Sequence, residues 1–222
     1  MDIHKPKPVH SWREFLSEIS VIVVGVLIAL AMEQAVEWAH WRQEVSHGRE
    51  HLREEIAFDE RTYVHRVDVA ACVKSNLTDL KGVISDLRAG KPVDPIKAFK
   101  SPGNGPVRHE IWNSLNQAQV LVHFPKEELQ KYSQFYQYIQ DDEYFMDRES
   151  RAWRQLHLLE GDPRQLSHAD ISALRVALGD AEEMSDGVAD VSQTQVDVGR
   201  ALGIAIPRPN PGSRTECAPI VR

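Results

Sequence analysis

His47-Gly48-Arg49-Glu50-His51 is the stretch of this chain whose residue types and spacing come nearest to chemistry, because it matches the pattern H-x-x-E-H. On a helix, His47 and His51 stand at i and i+4, share a face and could both reach a zinc ion, with Glu50 as general base of a hydrolase. Such a centre needs a third ligand from a distant helix, for which Glu127 and Glu128 are the candidates, and an enclosed cleft. The competing reading makes the same residues the wet face of a helix. The chain carries 10 histidines, so chance matches are frequent, and Gly48 loosens the helix where a ligand pair needs rigidity. The expectation is therefore no catalytic residue, no metal and no cofactor.

A second concentration of functional side chains is aromatic: Tyr132, Phe135, Tyr136, Tyr138, Tyr144 and Phe145 crowd one segment. Tyr132 and Tyr136 share a stripe with Leu129 and Ile139, the spacing of a helix core face. Phe135, Tyr138 and Tyr144 fall off that stripe and are the candidates for a surface that meets a partner or a ligand. No P-loop, Gly-rich dinucleotide turn, G-x-S-x-G or paired C-x-x-C is present. Asn76-Leu77-Thr78 fits a glycosylation sequon but lies within a helical pattern.

The elements that would position these residues start from a greasy run. Ile19 to Met32 holds no charge and a single polar side chain, Ser20. Extended over residues 15 to 38, a helix would be roughly 36 Å long, enough to cross a hydrocarbon core of about 30 Å. Trp12 precedes the run and Trp38 and Trp41 follow it, at the places where amphipathic rings settle among headgroups. Ala29-Leu30-Ala31 offers a signal-peptidase site. Against cleavage, Asp2, Glu14 and Glu18 put acid in the leader, and no polar region precedes the site. The run is expected to stay as an anchor, residues 15–41, behind a short tail at 1–14. Within it Gly25 and Ala29 make a small-xxx-small step, with Glu18, Ile22 and Glu33 near the same stripe, which suits association with another membrane helix. Lys5, Lys7 and Arg13 favour a cytoplasmic N-terminus, although Arg42, Arg49 and Arg53 nearly cancel that bias.

Beyond the anchor, apolar residues recur at threes, fours and sevens from Val45 to Leu87, with Leu52, Ile56, Tyr63, Val73, Leu77, Leu80 and Ile84 among them. The opposite face reads as charged, including Glu50, Arg53, Asp59, Arg61, Arg66 and Lys74. Prolines and glycines from 91 to 106 make a linker. A shorter helix is predicted from about Arg108 to Val122, and a long one opens at Pro125 with Glu127 and Glu128 at its positive end. Ser167 with Asp170 forms a capping box for a last helix that runs to Gly203. Proline-rich residues 206–222 read as a disordered tail, and Cys72 and Cys217 leave their pairing open. The architecture is all-α: a single transmembrane helix continuing into an elongated antiparallel helical bundle over 42–205.

The 222 residues carry a net charge of −7, which gives no basic stripe for nucleic acid. Glu18-Ile19, Val23-Val24-Gly25-Val26-Leu27-Ile28-Ala29-Leu30, Trp38 and Trp41-Arg42 resemble the anchor of a family of uncharacterised bacterial single-pass inner-membrane proteins. Those proteins have a Glu-Ile-x-x-Val-Val-x-Gly-x-Leu-Ile-Ala-Leu run before a helical domain. Here Ala31-Met32-Glu33-Gln34 stands where they carry glutamine or asparagine before the tryptophan. The resemblance implies a bacterial inner-membrane protein and brings no activity with it. The combined expectation is a non-enzymatic, membrane-anchored module with its C-terminal domain in the periplasm. Its partners would be the lipid bilayer and either copies of itself or other membrane subunits. The alternative is a periplasmic sensory or ligand-binding bundle using the tyrosine-rich helix.

Overall fold

The computed structural model describes residues 11–210, 212 and 214–220. Four α-helices occur among them: α1, Trp12–Arg88; α2, Glu110–Gln117; α3, Lys126–Leu156; and α4, His168–Ala201. Strand-type pairing among the described residues is limited to isolated bridges from Ile96 to Glu160 and Gly161, so the fold is all-α. The chain divides into two compact units, Met1–His47 and Gly48–Arg222. Lys5 and Lys7, which bias the topology in the sequence, lie outside the described residues.

In the first unit α1 carries the apolar run, and every residue from 11 to 40 is exposed. Its most apolar 18-residue window has a mean hydropathy of 2.5 and none of it is buried, so the helix is long and apolar enough to cross a membrane.

In the second unit the rest of α1 packs with α3 and α4. Contacts between α1 and α3 ascend together (Arg49 with Glu128, Glu55 with Tyr136, Arg66 with Glu149), so these two helices run parallel. The irregular segment 89–125, which includes short α2, returns the chain to make this possible. Helix α4 runs the other way: Gly199 meets Glu60, Lys74 faces Asp186 and Lys81 faces Glu182. The connection from α3 to α4 is short, with 3₁₀ turns at His157–Leu159 and Pro163–Gln165, as antiparallel neighbours require. Between the helices Leu80, Trp153, Leu156 and Leu174 form the centre of the apolar core.

Local signals account for the helix ends. Ser167 accepts from the Asp170 backbone N–H while the Asp170 carboxylate accepts from the Ser167 backbone N–H, the reciprocal pattern that satisfies two orphan donors. Helix α3 begins at Lys126 behind Pro125, with Glu127 and Glu128 in its first turn. Helix α2 stops at Gln117, five residues short of the sequence expectation. Gln119 adopts φ 58°, a left-handed turn, and a separate 3₁₀ turn, Leu121–His123, follows. Gly48 lies within α1 and is buried against α2. A β-carbon there would lie 3.0 Å from the Leu115 side chain, so glycine lets α2 approach α1 closely.

The linker from 91 to 106 is irregular, as its prolines dictate, but it is not loose. Ile96 and Phe99 enter the core, and Phe99 stacks on His157 at 4.4 Å. The C-terminal segment is pinned over its described part, in contrast to the disorder expected for 206–222. Cys72 and Cys217 form a disulfide with Cα atoms 5.1 Å apart, well within the usual range. Arg214 pairs with Asp68, and buried Asn76 donates to the Glu216 carbonyl at 2.7 Å. Asn76 is therefore a tie for the tail, and its sequon has no exposed amide to offer.

Candidate functional site

Helix α1 presents polar residues to the interior on the same stripe as its apolar ones. Asp59 follows Ile56 by three and Arg66 follows Tyr63 by three, and both are buried. This corrects their expected place on the charged outer face. The second unit surrounds α1 with α3, α4, the linker and the tail, so the buried arc is wider than a single apolar stripe. Helix α3 repeats the pattern: Asp142 follows Ile139 by three, Glu149 follows Met146 by three, and neither has exposed surface. Helix α4 contributes Ser185, Ser192 and Gln195.

The upper part of this seam holds a helix start. Glu55 accepts from the Ile111 backbone N–H at 2.9 Å and from the Tyr136 hydroxyl at 2.7 Å, and Asp59 accepts from the Arg108 backbone N–H at 3.0 Å. Helix α2 has no side-chain cap of its own, so two carboxylates from α1 satisfy donors at its positive end. Trp112 of α2 stacks on Tyr136 at 4.7 Å, and Phe58 lies 3.4 Å from the Arg108 guanidinium carbon.

The lower part is an ion-pair network. Arg66 donates to Glu149 at 2.7 Å, Ser185 donates to the same oxygen at 2.6 Å, and Asn104 approaches the other at 3.4 Å. Both oxygens of Asp142, Nε and Nη1 of Arg66, and both oxygens of Glu60 have no hydrogen-bond partner among the described residues. Burial pushes the Asp142 carboxyl up to about 7, with nearby Arg66 opposing the shift. Burial likewise raises Asp59 to about 8 against the Arg108 hydrogen bond, and Glu60 to about 7 against Arg200. Burial also raises the Tyr63 and Tyr136 phenols. The seam can therefore bind and release protons near neutrality.

The residues singled out in the sequence are dispersed. His47, Glu50 and His51 are exposed, and the nearest carboxylate to the His51 ring is Glu54 at 3.7 Å. Glu128, a candidate third ligand, is clamped by Arg49 through two hydrogen bonds of 2.6 and 2.8 Å, and Glu127 is exposed. No group of three or more His, Cys, Asp or Glu placed to hold a metal occurs among the described residues. Phe135 is wholly buried, edge-on to Tyr63 and Tyr136, so it is a core residue and not a surface. Tyr138 is half-buried. Tyr144 is exposed, accepts from Arg148 at 2.7 Å and packs on Phe145. In the first unit Glu18, Ile22, Gly25, Ala29 and Glu33 are all exposed, as are Trp12 and Trp38. Trp41 is half-buried and reaches Glu37 at 3.3 Å, and the Arg42 guanidinium lies over the Trp38 ring.

Comparison with protein-family models, curated proteins and solved structures finds no match to this chain.

Proposed function

We propose that the protein is a non-enzymatic helical module anchored by α1 in a bacterial inner membrane, where it assembles with copies of itself or with other membrane subunits. The observation that carries this reading is the exposed apolar run: Val21, Ile22, Val24, Leu27, Ile28 and Met32 face no protein in a helix long enough to span a bilayer. Such side chains need lipid or another apolar helix around them. Gly25 supports the second contact, since nothing lies within 4 Å of the place where its β-carbon would be. A partner backbone can approach such a surface closely.

The Cys72–Cys217 disulfide supports an orientation. Disulfides persist in the periplasm and are rare in the cytosol, so the second unit lies on the periplasmic side and the N-terminus in the cytoplasm. Extraction in mild detergent followed by native mass spectrometry tests the assembly. The reading expects a defined oligomer or a stoichiometric partner. A lone monomer that retains nothing but detergent contradicts it.

A further inference from the structure

One cavity differs in chemistry from its surroundings. It measures about 420 Å³ and lies between α1 and the chain that leaves α4, at Pro207–Asn210. Arg61, His65 and Arg208 line it, and among the described residues no acidic one does. In a chain with 33 acids against 26 lysines and arginines, that is a local reversal of charge. The comparison within the molecule is direct. A cavity of about 410 Å³ between α1 and α4 includes Glu182 and Asp186, and one of about 270 Å³ beside α2 includes Glu54, Glu55 and Glu110.

The two guanidiniums are not used by the fold. Arg208 and Arg61 are exposed and form no ion pair among the described residues, and Arg61 makes only a face contact with Phe58. The nearby carboxylates are already committed: Asp68 to Arg214, and Glu216 to His65 and the Gly103 backbone N–H. The other walls, Val64, Pro207 and Pro209, are apolar. A preformed pocket of this size suits a small organic ligand, and two planar guanidinium forks match the charge and oxygens of a phosphoryl dianion.

We propose that this cavity binds a small organic phosphate monoester, with the phosphoryl group between Arg61 and Arg208 and the apolar part against Val64, Pro207 and Pro209. The site is built from residues of the second unit and the exposed run belongs to the first, so it does not depend on the assembly reading.

Phenyl phosphate, titrated calorimetrically into the full chain in nonionic detergent, is the probe. Saturable 1:1 binding is expected, about tenfold tighter than benzoate and far tighter than phenol. Arg208→Gln and Arg61→Gln should each weaken it about tenfold while helical circular dichroism and the disulfide remain intact, since neither guanidinium holds the fold together. In phosphatidylcholine nanodiscs, added phosphatidic acid that displaces phenyl phosphate would identify the phosphoryl source as a lipid headgroup. Failure to displace it would identify a free phosphate ester, and either result sustains the site. No saturable binding, equal binding of phenol or benzoate, or unchanged affinity in both variants overturns it.

Discussion

Residues 15–38 and residues 52–84 belong to the same helix, and their side chains meet opposite solvation problems. The first segment exposes valine, leucine and isoleucine on every side. The second buries Asp59, Glu60 and Arg66 among Leu52, Ile56, Tyr63 and Leu80. Backbone hydrogen bonding is satisfied within the helix in both, so the contrast lies in what surrounds the side chains. The first segment needs an apolar medium from outside the chain. The second has α3, α4, the linker and the tail around it, which must supply partners for each charge it buries. They do so unevenly. Glu55 and Glu149 are satisfied, while Asp142 and Glu60 are left without hydrogen bonds among the described residues.

The largest effect should come from making the first segment resemble the second. Val24→Arg with Leu27→Arg places two charges mid-run, at about 2.5–3.5 kcal/mol each for membrane insertion. The protein should move from carbonate-washed membranes to the soluble or degraded fraction. The same pair of substitutions leaving it in the membrane pellet would remove the contrast. Next, Arg66→Met should lower the stability of the second unit by about 3–5 kcal/mol, because it strands Glu149 in the interior. Arg66→Met with Glu149→Leu should recover most of that loss in urea unfolding followed by circular dichroism. If the double variant is no better than the single, the pair is not what makes the site costly.

Acidity sharpens the comparison further. Asp142, Asp59 and Glu60 have folded pKa values near 7 to 8, above the ordinary value of about 4. Between those limits the folded state binds more protons than the unfolded state, so stability is greatest below about pH 4 for these groups and falls as pH rises toward 8. Between pH 5.5 and 8.5 the expected loss is on the order of 2–3 kcal/mol per group. Urea midpoints should therefore drop from pH 5.5 to 8.5, and Asp142→Asn should flatten that slope. A midpoint that rises with pH would contradict the burial argument. The smallest effect is at the capping box: Ser167→Ala should cost about 1 kcal/mol in the same assay.

What could be read in the sequence follows the range of the interactions. The end of α1 ahead of the proline- and glycine-rich linker from 91 to 106, the Pro125 start and the Ser167–Asp170 box are set by near neighbours in the chain, and each was legible. Asp59 and Arg66 carried their own signal, three residues after Ile56 and Tyr63. A reading that assigns charges to the wet face passes over it, because the partners that make burial tolerable, the Arg108 backbone N–H for Asp59 and Glu149 for Arg66, lie far along the chain. The early end of α2 depends on a left-handed Gln119, for which glutamine has no preference. The disulfide joins residues 145 apart, and Arg61 lines one cavity with the distant Pro207, Arg208, Pro209 and Asn210. Neither can be deduced from local pattern. The burial of Phe135 reflects a helix enclosed on two sides, by Tyr63 of α1 and by Gln195 of α4, which donates to the Phe135 carbonyl at 3.0 Å.

The central claim is that the apolar part of α1 stays in lipid while the second unit is oxidised. The intact mass of the protein recovered from carbonate-washed membranes, measured with and without reductant, tests both parts together. The account predicts the uncleaved chain, two hydrogens lighter before reduction than after. A product beginning after Ala31, recovery only from the soluble fraction, or a mass that reductant leaves unchanged would contradict it.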